Sequence, residues 1–129
     1  MVDFKIKSRV QPVGKRKGQT VYYAQQKSQQ LMTNKMVVER IVRETSLSAG
    51  DVSNAIISLC NVVCDALEQG MSVDLADLGR LRVAVSSKYM DSADEVTVDA
   101  ALNTPKIQFI PKQKMRDAAK KVKLRIESR

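Results

Sequence analysis

Between Asp51 and Gln69 the sequence carries a helical pattern with more apolar surface than one short neighbouring helix can cover. Val52, Ile56, Leu59, Val63 and Ala66 step by four and three, which puts them on one face. Ala55, Cys60, Val62 and Leu67 widen that stripe. Ser48 stands three residues before Asp51, where its hydroxyl and the Asp carboxylate satisfy the free amides of a first turn. Gly70 follows at the left-handed position that closes a helix. The segment before it is shorter: Thr33 is an N-cap, and Val37, Val38, Ile41 and Val42 share a face up to about Thr45. The surplus calls for a partner chain, with Val52, Ile56, Leu59, Val63 and Ala66 as the interface.

The flanking segments read as strands and turns. Phe4 to Val10 alternates apolar and basic residues with period two, the pattern of a half-exposed strand. Pro12 to Gly18 is a basic turn, and Thr20 to Ala24 has strand chemistry, so a hairpin is expected with Lys15, Arg16 and Lys17 at its tip. Gln25 to Gln30 reads as a linker. Met71 to Leu75 and Arg80 to Val85 are short strand candidates joined through Ala76-Asp77-Leu78-Gly79. Ser86 to Thr104 is a polar, acidic excursion in which Val96-Thr97-Val98 is a candidate strand. Lys106 to Ile110 is strand-like, and Pro111 suits the first turn of a final helix. That helix places Met115, Ala118, Ala119 and Val122 on one face, with Lys112, Lys114, Arg116, Lys120, Lys121 and Lys123 on the other. The expected organisation is a basic N-terminal hairpin extension and linker over residues 1–30, then a domain over residues 31–129.

The net charge of +8 is concentrated at the two ends. Residues 1–30 carry +6 and residues 104–129 carry +7, whereas residues 31–70 and 71–103 carry −2 and −3. Segregated positive charge raises the local potential far more than scattered lysines do, and polyanions are its natural partners.

What the chain lacks excludes several functions. It has no histidine, which removes the commonest general base and the usual metal ligand. Cys60 and Cys64, four apart in an apolar helical pattern, are too few for a structural zinc site and read as small core residues in a reducing compartment. Asp74 and Asp77 flank a turn with nothing to split their pKa values, and Gly14 and Gly18 lack the spacing of a phosphate loop. No enzyme activity, cofactor or metal is expected. The apolar runs are short and interrupted, and the basic start lacks the apolar stretch of a signal peptide. A soluble, unexported, cytoplasmic protein without a membrane partner is expected.

The order of elements resembles a known family. Two helices, then Ser72 to Val83, an excursion, and Phe109 to Ala118 look like the bacterial histone-like HU family of DNA-binding proteins. Leu78-Gly79-x-Leu81-x-Val83 is similar to that family's Gly-Phe-Gly-x-Phe-x-Val turn. Phe109-x-Pro111 followed by a basic Met-Arg-Asp-Ala helix is similar to its C-terminus. The match covers about Thr33 to Val122, and the added hairpin is similar to a divergent, N-terminally extended HU-related branch. The resemblance implies an α+β fold of the HU/IHF type: an intertwined homodimer with a helical base, a small antiparallel sheet and two arms. In the family the arms lie in the minor groove and insert a proline wedge. Here the arm-length span from Ala84 to Gln108 is acidic with no proline at its tip, and the glycine expected after Pro111 is Lys112.

The expected function is a dimeric, largely sequence-tolerant, nucleoid-associated protein that binds double-stranded DNA through phosphates. Its contact residues are Lys112, Lys114, Arg116, Lys120, Lys121 and Lys123, with Lys15, Arg16 and Lys17 on the hairpin and Arg80 and Arg82 on the sheet. The alternative is an HU-like dimeric scaffold whose acidic arm engages a protein partner.

Overall fold

The computed structural model describes residues 1–127; the last two residues of the expected second domain lie outside the described residues. The chain forms two compact units, one of residues 1–33 with 118 onward and one of residues 34–117. From Ala118 on, the C-terminal segment therefore groups with the hairpin and not with the domain that precedes it.

The first unit is a three-stranded sheet. β1 (Val2–Val10) pairs antiparallel with β2 (Thr20–Gln26), from Phe4 opposite Gln26 to Val10 opposite Thr20. The hairpin end is closed by Gln11 N–H to the Gln19 carbonyl (2.9 Å) and Gly18 N–H to the Gln11 carbonyl (2.9 Å), with Gly14 and Gly18 at positive φ. Lys15, Arg16 and Lys17 lie in this loop, as the turn chemistry predicts. The expected linker is shorter, because Gln25 and Gln26 extend the ladder and Lys27 N–H reaches the Asp3 carbonyl (2.8 Å). A strand that the sequence did not reveal, β6 (Leu124–Ile126), runs parallel to β1 on its other edge. Two exposed ion pairs tie it in, Arg125 to Asp3 (3.0 Å) and Lys27 to Glu127 (2.6 Å).

The second unit begins with α1 (Asn34–Glu44) and α2 (Ala49–Glu68). Ser48 and Asp51 form the expected capping box: Ser48 Oγ accepts from Asp51 N–H (3.1 Å) and Asp51 Oδ2 from Ser48 N–H (3.2 Å). Hydrogen bonding of its carboxylate to the Ser48 side chain and to the Ser48 N–H holds the Asp51 carboxyl below its ordinary range. Gly70, at φ 78°, ends α2 as the sequence implies. α1 and α2 pack on each other, and Val38 and Val52, with Ala101, are the buried apolar residues among those described.

Beyond Val52 little of this chain covers α2. Ile57, Leu59 and Val62 are exposed, and so are Cys60 and Cys64, contrary to their expected place in a core. The reason is length: α1 has 11 residues and α2 has 20, so the later turns of α2 have no counterpart in α1. A hydrogen bond with Cys60 raises the Cys64 thiol pKa. The expectation that nothing approaches a membrane span also fails on length and mean hydropathy alone, since the 20 residues of α2 reach 1.2. Its polar residues Asn54, Ser58, Asn61, Asp65 and Glu68 nevertheless fall at helical spacing on a single stripe, the signature of an amphipathic helix.

A small antiparallel sheet follows: β3 (Val73–Asp74), β4 (Gly79–Ala84) and β5 (Lys106–Pro111), in that order. Gly79 is obligatory in the β3–β4 turn. Its φ is 149°, and a Cβ there would run into the Ile110 carbonyl and the Phe109 ring.

The β4–β5 ladder ends at Ala84 opposite Lys106 and does not run out as a two-stranded arm. The excursion closes on itself through Lys88 N–H to the Ala101 carbonyl (2.7 Å), Asn103 N–H to the Ser86 carbonyl (2.9 Å) and Asn103 Nδ2 to Ser86 Oγ (2.8 Å). Val96-Thr97-Val98 is not a strand. Thr97 is instead the N-cap of the one-turn helix α3 (Val98–Ala101), its hydroxyl accepting from Ala100 N–H (3.2 Å). A capping threonine followed by Asp-Ala-Ala outweighs the β-propensity of two valines, because burying Ala101 completely anchors that turn.

The final helix also differs. α4 spans Gln113–Lys120, and Pro111 is the last residue of β5 and not the first of the helix. Val122, Lys121 and Lys123 lie past its end, where the chain turns through Lys121 N–H to the Ala118 carbonyl (3.1 Å) toward β6.

Candidate nucleic-acid interface

Four of the cations singled out in the sequence converge on one open hollow of about 560 Å³ in the second unit. Arg80 reaches it from β4, and Lys112, Lys114 and Arg116 from the β5–α4 junction and the first turn of α4. The order of elements explains the convergence. Arg80 pairs with Ile110 across the ladder, so the strand that carries Arg80 lies beside the one that leads into α4. Lys112 N–H bonds to the Leu78 carbonyl (3.3 Å), which ties the junction to the β3–β4 turn.

Two of these side chains are held in place. The Arg116 guanidinium donates to the Pro111 carbonyl (3.0 Å) and to Gln113 Oε1 (3.0 Å), so its planar head is fixed at the rim. Lys112 Nζ donates to Asp74 Oδ1 (2.6 Å), and Asp74 and Asp77 line the same hollow. The Lys112 ammonium holds the Asp74 carboxyl below the usual carboxylate range, with Ala76 N–H and Arg80 adding to it. This acidic component is not visible in the sequence: 38 residues separate the pair, and only the β3–β4–β5 order brings them together. Lys114 and Arg80 make no ion pair with the described residues and are exposed. The first turn of α4 adds amide hydrogens and a partial positive charge.

The other expected contact residues lie elsewhere. Arg82 is on β4 two residues beyond Arg80 and does not line the hollow. Lys15, Arg16 and Lys17 are exposed on the hairpin loop of the first unit, where Arg16 Nε donates to Gln19 Oε1 (3.2 Å). Lys120, Lys121 and Lys123 also group with that unit. The six-cation helix face is thus divided between the β5–α4 junction, α4 and the turn after it. On α2, Val52 is already buried within this chain, Ile56, Val63 and Ala66 are half-buried, and Leu59 is exposed. Among the described residues no three Cys, Asp or Glu side chains are grouped to hold a metal ion.

The family model HU-HIG, described as an HU domain fused to a wHTH, Ig or glycine-rich motif, matches residues 1–126. No curated protein matches the chain. Among solved structures, the chain is similar to a Bacteroides vulgatus protein named as a candidate bacterial DNA-binding protein. The TM-score is 0.62 at 13% identity, over 97% of this chain and 47% of that one. The chain spans about half the length of that neighbour. At this identity the likeness concerns the fold.

Proposed function

The chain belongs to the HU-HIG family of HU domains, and on that premise we propose that it is a dimeric, largely sequence-tolerant DNA-binding protein of the nucleoid. It binds and does not catalyse. The observation that carries this reading is the convergence of Arg80, Lys112, Lys114 and Arg116 on one open, solvent-facing hollow at a helix start. Such a group suits phosphate oxygens.

Dimerisation is supported by the bare later turns of α2, where Ile57, Leu59 and Val62 are exposed and no other helix of this chain covers them. In this reading Leu59, Ile56, Val63 and Ala66 meet a second copy, with Val52 at the edge where α1 already covers it.

A salt titration on duplex DNA tests the proposal. Log K should fall linearly with log salt, and Lys114→Gln with Arg116→Gln should flatten the slope by about 0.9 for each phosphate no longer neutralised. The weakening should be similar for all sequences. A wild-type protein that fails to bind duplex DNA at ~50 mM salt, where such interactions are strongest, would sink it.

A further inference from the structure

The β1–β2 pairing sorts the N-terminal hairpin into two unlike faces. Successive side chains on a strand point to opposite sides, and opposed residues share a side. Lys5 lies opposite Gln25, Lys7 opposite Tyr23 and Arg9 opposite Val21, so these six occupy one face. Lys5, Lys7 and Arg9 are all exposed, and none makes an ion pair with the described residues. The only carboxylate on their side of β1, Asp3, is engaged by Arg125 at 3.0 Å. Tyr23 stands among the three cations with 44% of its surface exposed. Tyr23 and Arg9 bound a shallow hollow of about 390 Å³, and Lys5, Lys7 and Gln25 line another of about 380 Å³ that continues to Ser28.

We propose that this face is a second nucleic-acid surface, which takes single-stranded DNA. Alternate residues on a strand are about 7 Å apart, so Lys5, Lys7 and Arg9 form a row spaced like successive phosphates of an extended strand. An exposed tyrosine among cations is the element a duplex cannot use, because its base faces are already stacked. A single strand stacks a base on such a ring while the cations follow its backbone. The proposal takes its ligand class from the DNA-binding reading above but uses none of the residues of the Arg80–Arg116 hollow.

The experiment titrates the full chain against fluorescent oligothymidylate, an oligouridylate of the same length, and a duplex. The triple variant Lys5→Gln, Lys7→Gln, Arg9→Gln should weaken oligothymidylate binding at least tenfold and lower its salt slope by about 2. Tyr23→Leu should weaken it about tenfold with the slope unchanged, and Tyr23→Phe should restore it. Lys114→Gln with Arg116→Gln should weaken the duplex and leave oligothymidylate within about twofold. Oligothymidylate binding that ignores both the triple variant and Tyr23→Leu overturns the proposal, and so does tighter binding of oligouridylate. Loss of duplex binding alone, with the Tyr23-dependent binding intact, overturns the duplex reading and leaves this one standing.

Discussion

The Lys112 ammonium lies 2.6 Å from Oδ1 of Asp74, and the same oxygen accepts the Ala76 N–H at 2.9 Å. One carboxylate therefore fixes the β3–β4 turn, where Ala76 adopts φ 55°, and draws off part of the positive charge of the candidate phosphate hollow. Asp74→Asn keeps an oxygen for Ala76 and removes the charge. Duplex affinity at low salt should rise roughly two- to fivefold, the size of an exposed charge interaction. Unchanged or weaker binding would show that Lys112 does not face the ligand.

The same pair sets a pH dependence. The folded-state pKa of Asp74 is depressed below its ordinary 3.8, so its contribution to stability is complete above that value. It is lost as pH falls through the lower folded value. Urea unfolding of wild type and Asp74→Asn should therefore differ by a constant amount at neutral pH and converge in the acid range. A gap that widens on acidification would contradict this sign.

Gly79→Ala should destabilise the fold by about 2–4 kcal/mol, because the new methyl meets the Ile110 carbonyl and the Phe109 ring at a φ of 149°. Thermal melting measures it. A shift of less than a degree would mean that the turn relaxes freely.

The elements that were legible in the sequence are those whose signals are local. The capping box of Ser48 and Asp51, the glycine after α2 and the strand β1 rest on signals within a few residues, and the structure has all three, although Ile6 and Val10 on β1 are exposed like the cations between them. β6 was not legible: three residues, Leu-Arg-Ile, carry too little periodicity, and what makes them a strand is β1, more than a hundred residues earlier. The Thr97 turn was misread for the opposite reason, a short valine pair whose propensity is outweighed by a cap and one buried alanine. Of the candidate interface, residue types were legible but grouping was not. Arg80 joins Lys112, Lys114 and Arg116 through sheet order, whereas Lys120 is the last residue of α4, Lys121 and Lys123 lie past its end, and none of the three lines the hollow.

Removing the cap of α2 gives a cleaner local test. Ser48→Ala deletes the acceptor for Asp51 N–H and should cost about 1 kcal/mol. In a two-state denaturant titration the midpoint should fall with the slope m unchanged. If the helix is the core of a dimer, that cost should be the same at every protein concentration once the association term is fitted.

Association itself is tested at Leu59, which is 45% exposed within its own chain. Leu59→Asp adds a charge to a position the protomer tolerates, since the side chain reaches water there. Between two copies of α2 the same carboxylate would be dry and unpaired, at a cost of several kcal/mol. Light scattering should find the wild type dimeric at micromolar concentration and the variant monomeric with its helices retained. The melting temperature of the wild type should also rise with concentration, because association stabilises by mass action, and that dependence should vanish in the variant. A wild-type chain that is monomeric at micromolar concentration would mean that the apolar turns of α2 meet something other than a second copy.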